Sequence, residues 1–193
     1  MNLHLTNPEL IGIAVVAILL IAAVAWLYIR RRRATTADLR QRFGPEYERA
    51  VQKHGSSAEA KLLDREKRVE KLNIRELEPA ERERFLERWK SVQSHFVDSP
   101  KGAVTEADDL VSSVMQSRGY PVSDFEQRAA DISVDHPRVT ENYRAAHAIE
   151  LRLRKGEANT EDLRTAMIHY RSLFEELVQL PVVEKIADKK QAA

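Results

Sequence analysis

The chain has 193 residues, with 31 Lys plus Arg against 30 Asp plus Glu, 43% hydrophobic residues, six Gly, seven Pro and no Cys. Such a length accommodates one main folded domain. A formal charge of +1 excludes a protein that holds nucleic acid by charge alone, and the missing Cys excludes disulfide scaffolds, thiolate catalysis and cysteine-ligated metal clusters.

The mean hydropathy of -0.47 conceals an asymmetry. Residues 10–29 read LIGIAVVAILLIAAVAWLYI, a 20-residue run without a charged side chain. At about 1.5 Å per helical residue this run matches the roughly 30 Å hydrocarbon core of a bilayer. Its twelve Leu, Ile and Val side chains favour insertion by about 4 to 7 kcal/mol together. Trp26 and Tyr28 sit where amphipathic rings meet headgroups, and Arg30, Arg31, Arg32 and Arg33 follow directly. Residues 1–9 hold Glu9 and no Lys or Arg, so the positive-inside rule places the N-terminus outside and the rest in the cytoplasm. A cleaved signal peptide is the competing reading, with Ala23-Val24-Ala25 as its cleavage site. The uncharged N-terminus, the long apolar run and the four arginines argue against it. No two small residues of the run are four apart, so a solitary anchor is expected. The arginines both fix topology and attract anionic headgroups, at roughly 1 kcal/mol per charge.

The expected organisation is therefore an extracytoplasmic N-terminus (1–9), a transmembrane helix (10–29), a basic juxtamembrane linker (30–37), a cytoplasmic helical domain (38–180) and a polar tail (181–193). Setting aside Arg30–Arg33 and Glu9 leaves 27 of the 31 basic and 29 of the 30 acidic side chains for residues 34–193. That balance offers no general basic face to nucleic acid.

Gly and Pro divide this region at helix boundaries. Thr35 or Thr36 caps a helix ending at Gly44-Pro45, and Pro45 opens a second that stops at Gly55. Ser56-x-x-Glu59 has the form of a capping box for a third, apolar at Leu62, Leu63, Val69, Leu72 and Leu77. Pro79 starts a fourth, in which Phe85, Trp89, Val92 and Phe96 form one stripe. The charge-rich stretch from Asp64 to Arg88 reads as two helices folded into an extended hairpin. After a turn over residues 98–102, Thr105 caps a fifth helix ending at Gly119. Ser123-x-x-Glu126 opens a sixth, carrying Phe125, Ala129 and Ile132. Asp135 or His136 caps a seventh, with Pro137 in its first turn and Gly156 at its end. Asn159 or Thr160 caps the last, whose Leu163, Ala166, Met167, Tyr170, Phe174 and Leu177 share a face. Nothing after residue 33 alternates with period two. The expected fold is all-α: one transmembrane helix followed by a soluble domain of seven or eight helices.

The patterns associated with catalysis are missing. The five glycines beyond the apolar run stand singly, which excludes a P-loop, a dinucleotide fingerprint and a nucleophile elbow. No Glu stands three residues before His95, His136, His147 or His169, so the Glu-x-x-His pattern of helical metal sites is absent; His147-x-x-Glu150 supplies only half a site. No catalytic residue, cofactor or metal is expected. The densest polar cluster, Arg118 to His147, supplies candidate partner-binding residues: Tyr120, Asp124, Arg128, Asp135, His136, Tyr143, Arg144 and His147. Mixed aromatic and arginine surfaces carry interface energy, and Asp135 beside His136 has the makings of acid–base chemistry. The structural alternative gives Asp135 or His136 to a helix cap, and Arg128 and Arg144 to bridges with carboxylates of neighbouring helices. Residues 43–51, FGPEYERAV, are a second candidate interaction region, in which Phe43 and Tyr47 read as core contacts before a docking patch; Trp89 likewise reads as core before a binding site.

The strings RFGPEYERAV, WKSVQSHFVDSP, RGYPVSDFEQRAADISVDHP and TEDLRTAMIHYRSLFEEL resemble a family of bacterial single-pass membrane proteins of uncharacterised activity. The resemblance spans residues 38–178 and implies an N-terminal span with a helical domain. It implies no activity, substrate or cofactor. The expected function is a membrane-anchored cytoplasmic adaptor with a protein partner. The alternative is a ligand sensor or enzyme with a pocket between residues 120–147 and 160–178.

Overall fold

The computed structural model describes residues 20, 21, 23, 24, 26, 30 and 35–179. The chain divides into two units, Met1–Gln41 and Arg42–Ala193. In the first unit the described residues are helical, and Leu20, Ile21, Val24 and Trp26 carry exposed side chains. The Arg30 guanidinium lies 5.4 Å from the centre of the Trp26 ring, a cation–π contact. Most of the expected span lies outside the described residues, as do Tyr28, Arg31, Arg32, Arg33, residues 1–9 and the tail. Among the described residues, no helix is long and apolar enough to cross a membrane.

The described residues form helices and no strand. The helices are α1 (35–43), α2 (Pro45–His54), α3 (Ala58–Val69), α4 (Pro79–Asp98), α5 (Pro100–Ser117), α6 (Phe125–Asp135), α7 (Pro137–Arg154) and α8 (Thr160–Gln179). A 3-10 turn, Gly55–Ser57, separates α2 from α3.

In the second unit α8 is the central element, packed on α7, α5 and α4. Leu163, Ala166, Met167, Tyr170, Phe174 and Leu177 are buried as their spacing predicts, and Leu173 and Val178 join them. Trp89 of α4 stacks on Phe174 with ring centres 4.8 Å apart. Ala103, Ala107, Val111 and Val114 are fully buried on α5; such small side chains let helices approach closely. Each fully buried Leu, Phe or Met contributes roughly 1.5–3 kcal/mol. A second layer of α2, α3 and α6 leans on α7.

Several boundaries differ from the expectation, each for a local reason. Residues 98–102 are not an open turn: α5 starts at Pro100, so Thr105 lies inside it and donates back to the Lys101 carbonyl at 3.4 Å. Ser99 alone separates α4 from α5. Ser56-x-x-Glu59 forms no capping box. Ser57 Oγ donates to the His54 carbonyl at 2.8 Å, and Glu59 receives the Tyr47 hydroxyl at 3.1 Å. At α6 the cap moves one residue, from Ser123 to Asp124, which accepts from the Gln127 N–H at 2.8 Å. Neither Asp135 nor His136 caps α7 through its side chain. Asn159 does cap α8, in a reciprocal pair with Asp162 at 2.9 Å each way.

The expected hairpin of Asp64–Arg88 is also replaced. α3 ends at Val69 and packs on α2 and α6, whereas α4 packs on α5 and α8. Between them residues 73–78 run without helix. Glu78 and Glu81 form the box that caps α4, and Arg75 grips both Glu81 oxygens at 2.8 Å. The Arg75 guanidinium and the Glu78 N–H hold the Glu81 carboxyl at about 2.

This connection is tied to the end of α5. The Arg75 N–H donates to the Arg118 carbonyl at 2.9 Å. Arg118 is itself buried and donates to the Leu177 carbonyl at 2.9 Å and the Arg75 carbonyl at 3.4 Å. Its charge sits at the C-terminal, negative end of α8. Gly119 closes α5 with the paired bonds Gly119 N–H to Gln116 and Tyr120 N–H to Met115, both 3.0 Å, a Schellman arrangement. Its φ is 98°, and a Cβ there would lie 2.3 Å from the Asn73 carbonyl oxygen. Gly119→Ala therefore meets both left-handed strain and a backbone collision, and is expected to destabilise by about 2 kcal/mol or more; urea unfolding followed by circular dichroism measures it.

Candidate functional site

The polar cluster of residues 118–147 is brought together, but mostly inside the protein. Tyr120, His136, Tyr143 and Arg144 are buried, Arg128, Asp135 and His147 are half-buried, and Asp124 is exposed.

Around the α6–α7 corner, the Tyr120 hydroxyl donates to Asp135 Oδ2 at 3.2 Å. Burial, and then the neighbouring Asp135 charge, pushes that hydroxyl's pKa far up. His136 Nδ1 lies 3.1 Å from Glu176 of α8. Burial lowers the His136 pKa, Glu176 opposes the shift, and Arg118 adds to it. One helix turn along, Arg128 donates to the Tyr143 hydroxyl at 3.0 Å and to the Ser123 carbonyl at 2.8 Å. It therefore holds the loop before α6 against α7, whereas the expected partner was a carboxylate. The Tyr170 hydroxyl donates to Asp108 at 3.1 Å, and burial raises the Asp108 pKa. His147 lies flat on Phe125, ring centres 3.6 Å apart. Its Nδ1 is 3.7 Å from Glu150 Oε2, and neither atom has a hydrogen-bond partner among the described residues. Burial lowers the His147 pKa despite Asp108 and Glu150.

Arg144 makes the expected bridge between helices. It reaches Glu46 of α2 through two hydrogen bonds, 2.7 and 3.2 Å, and Glu126 of α6 through a third at 3.1 Å. Glu46 is 2% exposed and also lies within 3.4 Å of Arg65 and 3.6 Å of Arg49. Burial works against the Arg144 charge, but Glu46 and Glu126 outweigh it and raise its pKa.

Outside this lock, α2, α3 and α6 enclose an open cleft of about 370 Å³. Lys53 comes from α2, Lys61, Arg65 and Arg68 come from α3, and Asp124 and Glu126 come from the start of α6. Both arginines are anchored from behind. Arg68 donates to buried Asp131 through Nε and Nη2 at 2.8 and 2.6 Å. Arg65 contacts Glu46 and Ser133 at 3.4 and 3.5 Å. Of the candidate residues read from the sequence, only Asp124 lines this cleft. Lys61, Arg65 and Arg68 were missed, although their i, i+4, i+7 spacing marks one helix face; beside Leu62 and Val69 that face reads as an ordinary solvated one.

The segments 120–147 and 160–178 meet through packed side chains: Tyr143, Ala146, Ala166 and Tyr170 have no exposed surface. Among the described residues no three His, Asp or Glu side chains are placed to hold a metal ion. Comparison with protein families, curated proteins and solved structures finds no match.

Two predictions follow from these charges. Arg144→Met leaves Glu46 buried with weaker partners and is expected to cost about 3 kcal/mol, only part of it recovered in Glu46→Leu/Arg144→Met because Arg65 then loses its carboxylate, as a denaturation double-mutant cycle reads out. The second concerns pH. His136 and His147 sit below their ordinary 6.5 when folded, so the unfolded chain binds more protons and stability rises with pH. Their contribution is complete above about 6.5 and is lost as the pH falls below it, while the raised carboxyl of Asp108 acts with the opposite sign. The thermal midpoint should drop between pH 7 and 5, and the double variant His136→Gln/His147→Gln should flatten that slope.

Proposed function

We propose that this protein is a membrane-anchored interaction module: a single N-out span holds a rigid helical unit at the cytoplasmic face of the inner membrane, where it docks a protein partner. The observation that carries the docking half is the charged cleft of α2, α3 and α6, whose Arg68 is fixed in place by the buried carboxylate of Asp131. Preorganised side chains lose little entropy on binding, which is what a recognition surface needs.

The anchoring half is supported by the apolar run 10–29 and its arginine collar. The exposed apolar side chains at 20, 21, 24 and 26 fit a lipid environment, since contiguous exposed apolar surface otherwise invites association. Trp26 beneath the Arg30 guanidinium suits the headgroup level, with Arg30–Arg33 drawn to anionic lipid.

Two measurements test this reading. A C-terminal green fluorescent protein fusion should fluoresce while the matching alkaline phosphatase fusion stays inactive; the reverse pattern overturns the topology. A photo-crosslinking side chain at Gln127, which lines the cleft, should trap a discrete protein partner in living cells, and the same group at exposed Arg164 on α8 should not. Equal trapping at both positions, or none at either, overturns the docking role.

A further inference from the structure

The cleft is electrically divided. Its α2–α3 side presents Lys53, Lys61, Arg65 and Arg68 with one carboxylate, Asp64, its α6 side presents Asp124 and Glu126, and Lys53 pairs with Glu126 across it at 3.4 Å. The basic charge is also incompletely neutralised. Arg65 has a single guanidinium nitrogen, Nη1, engaged in two long contacts, and makes no other hydrogen bond among the described residues. Its one carboxylate, Glu46, is shared with Arg144 and Arg49. Burial, with Arg144 and Arg68 adding to it and Glu46 opposing, lowers the Arg65 pKa. Lys61, one turn before Arg65 and exposed, forms no ion pair among the described residues.

We propose that this cleft docks an acidic segment of the partner protein, its side-chain carboxylates seated on Lys61, Arg65 and Arg68. The inference rests on the interaction-module reading and gives that partner a chemistry. Arginine forks match carboxylate geometry, and Arg65 retains Nε and Nη2 for such a pair. A long polyanion or an anionic membrane surface fits less well, because the Asp124 carboxylate across the cleft repels a ligand that is negative on every side, while Glu126 is already paired with Lys53 and Arg144. A protein segment with carboxylates on one edge and neutral or basic residues on the other matches both walls.

The test uses the full chain in detergent micelles at low salt and a short fluorescent peptide of alternating Glu and Ala, with binding read as anisotropy. The peptide should bind saturably and weaken as salt is raised. Lys61→Glu should weaken it roughly tenfold, Asp64→Asn should tighten it, and Arg164→Glu on α8 should leave it unchanged. Lys61→Gln repeats the measurement with the charge removed rather than reversed, and circular dichroism establishes that each variant keeps its helices. Equal affinity in wild type and Lys61→Glu overturns the proposal. So does Lys61-dependent binding of inorganic phosphate, or of phosphatidylglycerol vesicles, without binding of the peptide; these outcomes assign the cleft to a small anion or to the membrane. A partner crosslinked from position 127 in equal yield in wild type and Lys61→Glu leaves the interaction module standing and removes the acidic-segment inference alone.

Discussion

Arg144 and Glu46 lie 98 residues apart in sequence and meet inside the protein through two hydrogen bonds. Taking both charges out of water is costly, and the cost is offset only because the geometry is bidentate and the remaining donors find Glu126 and the aromatic face of Phe125, 6.0 Å away. The constraint this imposes is directional. α2 is held to α7 in one register, α6 is pulled onto the same guanidinium, and α3 joins through Arg65 on Glu46 and Arg68 on Asp131. The outer layer has far fewer large buried apolar side chains than the α4–α5–α8 core, and ion pairs supply the orientation that packing there does not.

The same charges shape the surface. A carboxylate that fixes an arginine from the inside leaves the outer edge of the guanidinium to the solvent, so structural bridges become the floor of a cleft. Glu46 is spread over three arginines, which leaves part of their positive charge uncompensated. The ion pairs that orient the outer layer thus also set the charge on the floor of the cleft.

A second device secures the inner layer. Arg118 is almost completely buried, yet its donors reach the carbonyls at the end of α8 and in the 73–78 connection. The non-helical connection can pass the end of α5 closely only because Gly119 lacks a Cβ. Asn73, Arg75, Arg118, Gly119 and Leu177 come from three separate parts of the chain and form one joint, so changes at any of them propagate to the α4–α5–α8 packing.

Helix content and the inward faces of α4 and α8 were legible in the sequence, because a 3.6-residue apolar period is a local property that any core can use. Phe85, Trp89 and Val92 point inward in any arrangement that buries one face of α4. Caps were legible only to within a residue or two. Ser56, Ser123 and Thr105 have the right chemistry, but neighbouring residues compete for the same N–H groups, and tertiary contacts such as Tyr47 on Glu59 divert the partner side chain. The polar cluster was legible as a cluster, and its role was not: whether Arg144 faces a partner or Glu46 depends on where α2 lands. The sequence by itself determined an all-α chain with an apolar N-terminal run, since periodicity and hydropathy act over neighbouring residues. Only the tertiary structure decided that Arg65 and Arg68 border a cleft while Arg144 is sealed behind it, because desolvation and charge pairing depend on distances in space that no local pattern encodes.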